Sequence, residues 1–292
     1  MVSDIFNQDE ITFREDTHQY FNLKGEEYNS VSSVLARIKT PFDANGISRA
    51  MAMKLSKEQG ISIDEAQQKV LGEWSYAKDS SLVKGNFVHG GLENYSRFGT
   101  VDPKLSKPIA FLGNLFRSYY KFYPEVKLFS HRCRVAGTTD LVLQRQKSKV
   151  PVLDFGDYKT NESKGIYFDS ISRKDGVIKH YNRYLLPPFD YMEDCNYVIY
   201  SLQLSIYAFM AMDSLGIKVG RLFILFIDNS YNVTEIPVPF MYHEAKMLCE
   251  SNISIKQLDD YRKYPMTPKE SYEKPADKAV SSELNITDDW ED

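Results

Sequence analysis

The sequence predicts an α/β fold in which helices flank a small mixed sheet. Three observations carry that expectation. Apolar residues recur at helical spacing ahead of residue 123, three strand-like runs follow each other between 125 and 159, and a long apolar helix then precedes a strand pair and a last helix. At 292 residues the chain is long enough to bury a sizeable core.

Taken in order, 11–21 and 27–34 read as short strands of a hairpin, with Gly25 supplying the turn in NLKGEE. Ser30, Ser32 and Ser33 offer N-caps for a helix through VLARIK, which Pro41 stops. Helical spacing runs over 46–77 through Ile47, Ala50, Met51 and Leu55, then Ile61, Ala66, Val70, Leu71 and Trp74. Helices are expected over 80–97 and 107–122, the second ended by Pro124. Strands over 125–134, 138–145 and 150–159 come next, the last two joined by the polar RQKSK. Residues 161–192, aromatic and basic with Pro187 and Pro188 near the end, read as an insertion or mobile loop. A helix over 194–215 closes on Gly216, strands over 221–227 and 232–238 flank DNSY, and a helix over 241–261 is last. The expected organisation is a hairpin and helical extension over 1–78, a core over 79–265 containing the insertion, and an acidic, disordered tail over 266–292.

Composition excludes several classes. Cys133, Cys195 and Cys249 are odd in number and far apart, fitting neither a disulfide framework nor a four-cysteine metal or iron–sulfur site. The first residues lack the pattern of a signal peptide, and the longest apolar runs, near 207–212 and 222–227, are short for a bilayer. A cytoplasmic protein with no membrane contact is expected. No phosphate-binding G-x-x-x-x-G-K-[ST] loop and no G-x-S-x-G occur, and the histidines lack zinc-type pairing. The net charge of −4 hides an asymmetry: residues 276–292 carry −5, whereas 101–150 carry +7. A basic middle suits phosphate contacts, and equally a solvated face.

The chemistry gathers at VLDFGDYKT. Asp157 and Lys159 are two apart and share one face of a strand. Alone the pair reads either as a salt bridge or as a metal-binding carboxylate beside a lysine that acts on water. Asp154 lies an odd number of residues from Lys159 and points to the opposite face. On the preceding strand AGTTDLVL supplies Asp140, with Gly137 allowing a tight turn just upstream. Antiparallel neighbours bring Asp140 beside Asp157, and two such carboxylates repel unless a cation sits between them; oxygen ligands suit Mg²⁺ or Mn²⁺ rather than zinc. Two helices add polar pairs at i,i+4 among apolar residues: His89 with Glu93, and Gln203 with Tyr207.

This order of motifs is Gly85, His89 and Glu93 in G-x-x-x-H-x-x-x-E; Gly137 and Asp140 in G-x-x-D; Asp157, Lys159 and Thr160 in D-x-K-T; Gln203 and Tyr207 in Q-x-x-x-Y. It resembles the RecB-like exonuclease branch of the PD-(D/E)XK nuclease superfamily over about residues 85–207. The stretches ITFREDTHQYFNLKGEEYNSVSSVL and GEWSYAKDSSLVKGNFVHG resemble the N-terminal part of phage-encoded members. The resemblance implies a restriction-endonuclease-like αβββαβ core. It also implies one or two Mg²⁺ or Mn²⁺ ions held by Asp140, Asp157 and the backbone carbonyl of Tyr158, with His89 as a further ligand and Glu93 close by. Lys159 would act on the water, and Gln203 and Tyr207 would position the lysine and the DNA backbone. DNA contacts are expected from Arg132, Arg134, Thr160, Arg173, Lys174, Lys179 and Arg183, with Tyr and Phe of the insertion stacking on unpaired bases. Two departures stand out: 17 residues separate Asp140 from Asp157, and 161–192 exceeds a simple connection. No iron–sulfur cluster is expected, because the four framing cysteines of the cluster-bearing relatives are missing. The expected activity is a deoxyribonuclease, an exonuclease serving phage or bacterial recombination, replication or repair. A structure-specific endonuclease and an idle DNA-binding scaffold are the alternatives. The acidic tail would recruit a recombination or replication protein.

Overall fold

The computed structural model describes residues 5–160, 165–174, 177–180 and 183–251, with backbone only for 171–174 and 177–180. The chain enters as a meander of β1 (Ile11–Arg14), β2 (Gln19–Asn22) and β3 (Glu27–Ser30), turning at Gly25, whose φ of 78° no L side chain adopts cheaply. Of the three candidate serines, Ser30 is the cap of α1 (Val31–Ala36), its hydroxyl accepting from the Ser33 N–H. α2 (Ala44–Gln59) and α3 (Ile63–Phe98) are capped by Asp43 and Ser62 and closed by left-handed Gly60 and Gly99.

α3 is a single helix of 36 residues, so the break expected near 78–80 falls in mid-helix. No proline or cap interrupts it, and Val88 and Leu92 pin its second half to the sheet. A 3₁₀ turn at Pro103–Leu105 leads into α4 (Ser106–Phe116), which stops well before Pro124. Pro124 instead lies inside β4 (Lys121–Ser130). β4 pairs only with β5 (Val135–Gln144), and a proline without an N–H is tolerated on such an edge.

β6 (Val152–Lys159) completes a second meander. A separate hairpin, β7 (Ile171–Lys174) and β8 (Val177–His180), precedes α5 (Asn196–Leu215), β9 (Lys218–Ile227), β10 (Val233–Val238) and α6 (Tyr242–Glu250). The main sheet runs β1-β2-β3-β5-β6-β9-β10, with β4 on the other edge of β5. It is larger than the sequence suggests, because β3 joins β5 in parallel and ties the N-terminal meander to the core sheet. β6 and β9 are also parallel, so the sheet is mixed.

Alternation along the strands sorts the core into two layers. Leu141, Leu143, Tyr158 and Phe223 pack with Val88, Leu92, Ile109 and Leu112 of α3 and α4. Val142, Leu153 and Phe155 pack with Leu202, Ile206 and Phe209 of α5. Burying each such side chain contributes about 1.5–3 kcal/mol. α5 is apolar enough, and long enough, to cross a membrane by composition, contrary to the reading from short runs; 61% of its apolar window is buried inside the molecule, as befits a helix covered by neighbours all round. The expected insertion is partly core as well, since Leu185, Phe189 and Met192 are buried. The extension of the last helix to 261 and the acidic tail lie outside the described residues.

Part of the positive charge of 101–150 is spent on internal ties. Lys107 donates to Ser230 O and Asn232 Oδ1, Lys127 to Ile11 O, and Arg145 to Asp154, so these cations tie turns and edges together.

Candidate active site

The site forms where β5 changes partners. On one edge β5 follows β4 throughout. On the other it pairs with β6 from Gln144↔Leu153 to Leu141↔Gly156, and with β3 at Val135 and Ala136. Asp140 sits one residue past the end of the β6 ladder. Its Oδ2 accepts the Tyr158 N–H at 2.5 Å, a carboxylate doing what a backbone carbonyl does elsewhere along the strand. On the β4 side the register Pro124↔Leu141 and Val126↔Thr139 sets Glu125 across from Asp140. Glu125 has a φ of 48°, a left-handed backbone inside a strand.

From α3, His89 Nδ1 lies 3.1 Å from Asp140 Oδ1, and its ring meets Tyr158 edge-on with centroids 5.7 Å apart. One ligand atom each from His89, Glu125 and Asp140 lies within 4.8 Å of the others, a group that could hold a metal ion. Lys159 is ion-paired to Asp157 Oδ2, and its ammonium stands 4.7 Å from the centroid of the Tyr200 ring. Asp157 Oδ2 is buried and receives no hydrogen bond of proper geometry, only the neighbouring charge of Lys159.

The electrostatics follow from crowding in a dry place. Burial pushes the Asp157 carboxyl up, and the Asp140 charge adds to it, to about 6. Burial, then Asp140 and Glu93, push Glu125 up to about 8. Asp140 feels burial most, yet the charge and hydrogen bond of His89, then Lys159 and the Tyr158 N–H, hold it down to about 2. For His89 burial opposes the imidazolium, but Asp140 and then Asp157 overcome it, to about 9. Lys159 also rises above its ordinary value against burial, on the strength of Asp157 and Asp140. Three buried or half-buried carboxylates therefore share two internal cations, and two of them are pushed toward neutrality. A divalent ion would relieve that imbalance, and a donor set of carboxylate oxygens with one imidazole suits Mg²⁺ or Mn²⁺.

On α5, Gln203 Nε2 donates to Tyr207 OH at 3.1 Å. A Cβ at Gly137 would stand 2.7 Å from Tyr207 Cε1 and 2.9 Å from Val31 Cγ2. Gly137 thus lies inside β5 and admits the tyrosine ring, rather than making the tight turn expected of it. Thr160 faces Gly85, where a Cβ would stand 3.5 Å from its Oγ1. Tyr158 pairs with Leu225 in the β6–β9 ladder.

Glu93 is near enough for its charge to raise Glu125 but stands outside the His89 group and pairs with Arg97 at 2.7 Å; other expected residues lie elsewhere. Arg132 clips the β4–β5 turn to the far ends of α5 and α6 through Asp213 at 3.2 Å and Glu250 at 2.8 Å. About 17 Å of strand separates that turn from Asp140. Arg134 shares that turn, at a φ of 53°. Arg173, Lys174 and Lys179 lie on the β7–β8 hairpin, where only the backbone is described, and Arg183 is exposed beyond it. Of the insertion aromatics, Phe189 is buried, Tyr167 and Phe168 are half-buried against the main core, and Tyr184 is exposed. Asp154 proves structural: it is fully buried and fills a bulge in β9, accepting from Arg221 N–H at 2.7 Å, Tyr119 OH at 2.7 Å and Arg145 Nε at 2.8 Å.

Sequence reasoning missed Glu125. Starting the strand at 125 instead of 121 hid it at an element boundary. Counting back from the 131–134 turn would have put it opposite Asp140.

No protein-family profile matches the chain, and no curated protein matches it. Among solved structures, the crystal structure of a candidate exonuclease from Eubacterium rectale aligns over 83% of this chain and 84% of that one, at 14% identity and a TM-score of 0.32. A likeness of that size carries no argument for fold or activity.

Proposed function

We propose that this chain is a divalent-metal-dependent nuclease that hydrolyses phosphodiester bonds in DNA, acting as an exonuclease in recombination, replication or repair. The observation that carries the reading is the convergence of His89, Glu125 and Asp140 within 4.8 Å beside the Asp157–Lys159 pair, on strands that splay apart there. With α4 and the β7–β8 hairpin set aside as insertions, the succession α3, β4, β5, β6, α5, β9 supports it as an αβββαβ arrangement.

In this reading His89, Glu125 and Asp140 hold the ion, and the otherwise unbonded Oδ2 of Asp157 offers a further oxygen. When bound, Mg²⁺ or Mn²⁺ supplies Lewis acidity toward a phosphoryl oxygen and makes its water a better nucleophile. Lys159 keeps its proton, since Asp157 and Asp140 outweigh burial; it serves as a fixed positive charge for the phosphate rather than as a base. Tyr200 beneath it restricts where that ammonium can go. The test is digestion of end-labelled linear and closed circular DNA, single- and double-stranded, with Mg²⁺, Mn²⁺ or EDTA. Metal-dependent loss of linear DNA with circles spared is expected; cut circles would favour the endonuclease alternative. DNA left intact under every ion would overturn the reading.

A further inference from the structure

β7 and β8 pair with each other and, among the described residues, with no strand of the main sheet. A two-stranded ribbon standing alone is marginal in water, so its place outside the sheet points to a use other than packing. Its register is Ile171↔His180, Ser172↔Lys179, Arg173↔Ile178 and Lys174↔Val177. Directly opposed residues share a face, and successive ones alternate. One face therefore carries Ile171, Arg173, Ile178 and His180, and the other Ser172, Lys174, Val177 and Lys179. We propose that this ribbon is a duplex-DNA arm beside the site, with phosphates of the double helix on the face that bears Lys174 and Lys179. The proposal rests on the nuclease reading for its purpose, though binding itself needs no chemistry.

Three observations carry it, and the first is placement. Asn196 opens α5 and holds the chain that leads into β7: its Oδ1 accepts from Tyr167 N–H at 2.6 Å, and its Nδ2 donates to Gly165 O at 3.2 Å. Tyr200, whose ring centroid stands 4.7 Å from the Lys159 ammonium, is four residues further on the same helix face, about 6 Å along the axis. The returning leg is fastened at the same place, Asp194 N–H donating to Arg183 O at 2.9 Å. The ribbon thus springs from beside Lys159, and Lys174 is at most about 14 Å of strand beyond Ser170. The second observation is charge. Residues 171–183 hold four Lys or Arg against one Asp. Acids at the root are engaged: Glu193 accepts the Ser170 N–H at 2.8 Å, and Asp194 lies 3.9 Å from Lys39. Cations so placed suit a duplex, which carries a charge about every 1.7 Å and releases counterions to each lysine that meets a phosphate. The third is the make-up of the face. A major groove admits a two-stranded ribbon. The residues that share a face with Lys174 include no aromatic, so that face serves phosphates and offers no platform for unpaired bases.

The experiment measures fluorescence anisotropy of the full chain in EDTA, over a range of salt, with a labelled duplex of about 20 base pairs and with oligothymidylate of equal length. Lys174→Gln with Lys179→Gln removes two charges from one face of the ribbon, and Lys54→Gln with Lys57→Gln removes two exposed charges from α2. The ribbon variant should bind the duplex at least about tenfold more weakly, with the slope of log affinity against log salt reduced by about two. The α2 variant should match the parent, and arginine at both ribbon positions should restore the parent slope. No binding of the duplex by the parent, an unchanged slope in the ribbon variant, the same loss from α2, or a greater loss for oligothymidylate than for the duplex would each overturn the assignment. Digestion in Mg²⁺ separates this from the nuclease reading. A parent chain that cuts nothing but binds the duplex through the ribbon keeps the arm and loses the nuclease; one that digests DNA while the ribbon variant keeps the parent slope does the reverse.

Discussion

At the scale of the residue, the site is a contest between burial and charge. Lys159 is buried among acids that hold it protonated, so removing it strips the site of its fixed cation. Lys159→Ala is expected to lower metal-dependent DNA hydrolysis by about 10²–10⁴-fold, measured as initial rates on linear DNA, with little change in oligonucleotide affinity. Glu125 gives a prediction of opposite sign for stability. Its carboxyl titrates at about 8 in the fold against an ordinary 4.5. Its contribution is therefore complete below about 4.5 and lost as the pH rises through 8. Glu125→Gln cannot ionise, so in chelator the variant should melt above the parent at pH 9 and close to it at pH 5, while binding Mn²⁺ at least about tenfold more weakly. Equal melting differences at both pH values would contradict the assigned environment. Asp140, Asp157 and Lys159 were legible because a period of two fixes which strand residues share a face. Glu125 was not, because its strand begins with a proline-containing segment that reads as the end of a helix.

At the scale of the element, the site depends on close approaches that glycine alone permits. The Cβ of Gly137→Ala would meet Tyr207 and Val31 on two sides. Overpacking of this kind costs about 1–3 kcal/mol, and a denaturant midpoint should fall accordingly, with hydrolysis falling further as Tyr207 is displaced. Most elements were readable from apolar periodicity, caps and turn glycines, as Ser30, Gly25 and Gly216 illustrate. The boundaries that failed share a physical cause. Pro124 stops helices but also sits on edge strands, and 79–81 carries serines that cap a helix when they begin one and are merely tolerated inside α3. The parallel β3–β5 pairing was hidden because long-range register leaves no local signature.

At the scale of the whole molecule, metal binding and folding should be linked. Asp157 and Glu125, raised to about 6 and about 8, each weaken the metal-free fold as the pH climbs through those values. A divalent ion replaces the missing positive charge, so added Mg²⁺ or Mn²⁺ should raise the melting temperature more at pH 8.5 than at pH 5. At 100 times Kd the gain is about 2.7 kcal/mol, several degrees for a chain of this size. A pH-independent shift would separate the ion from these carboxylates. The most direct measurement of the central claim is anomalous diffraction from crystals soaked in Mn²⁺. The account predicts a peak liganded by Asp140 and by at least two of His89, Glu125 and Asp157; a peak elsewhere, or none there at saturating Mn²⁺, would contradict it.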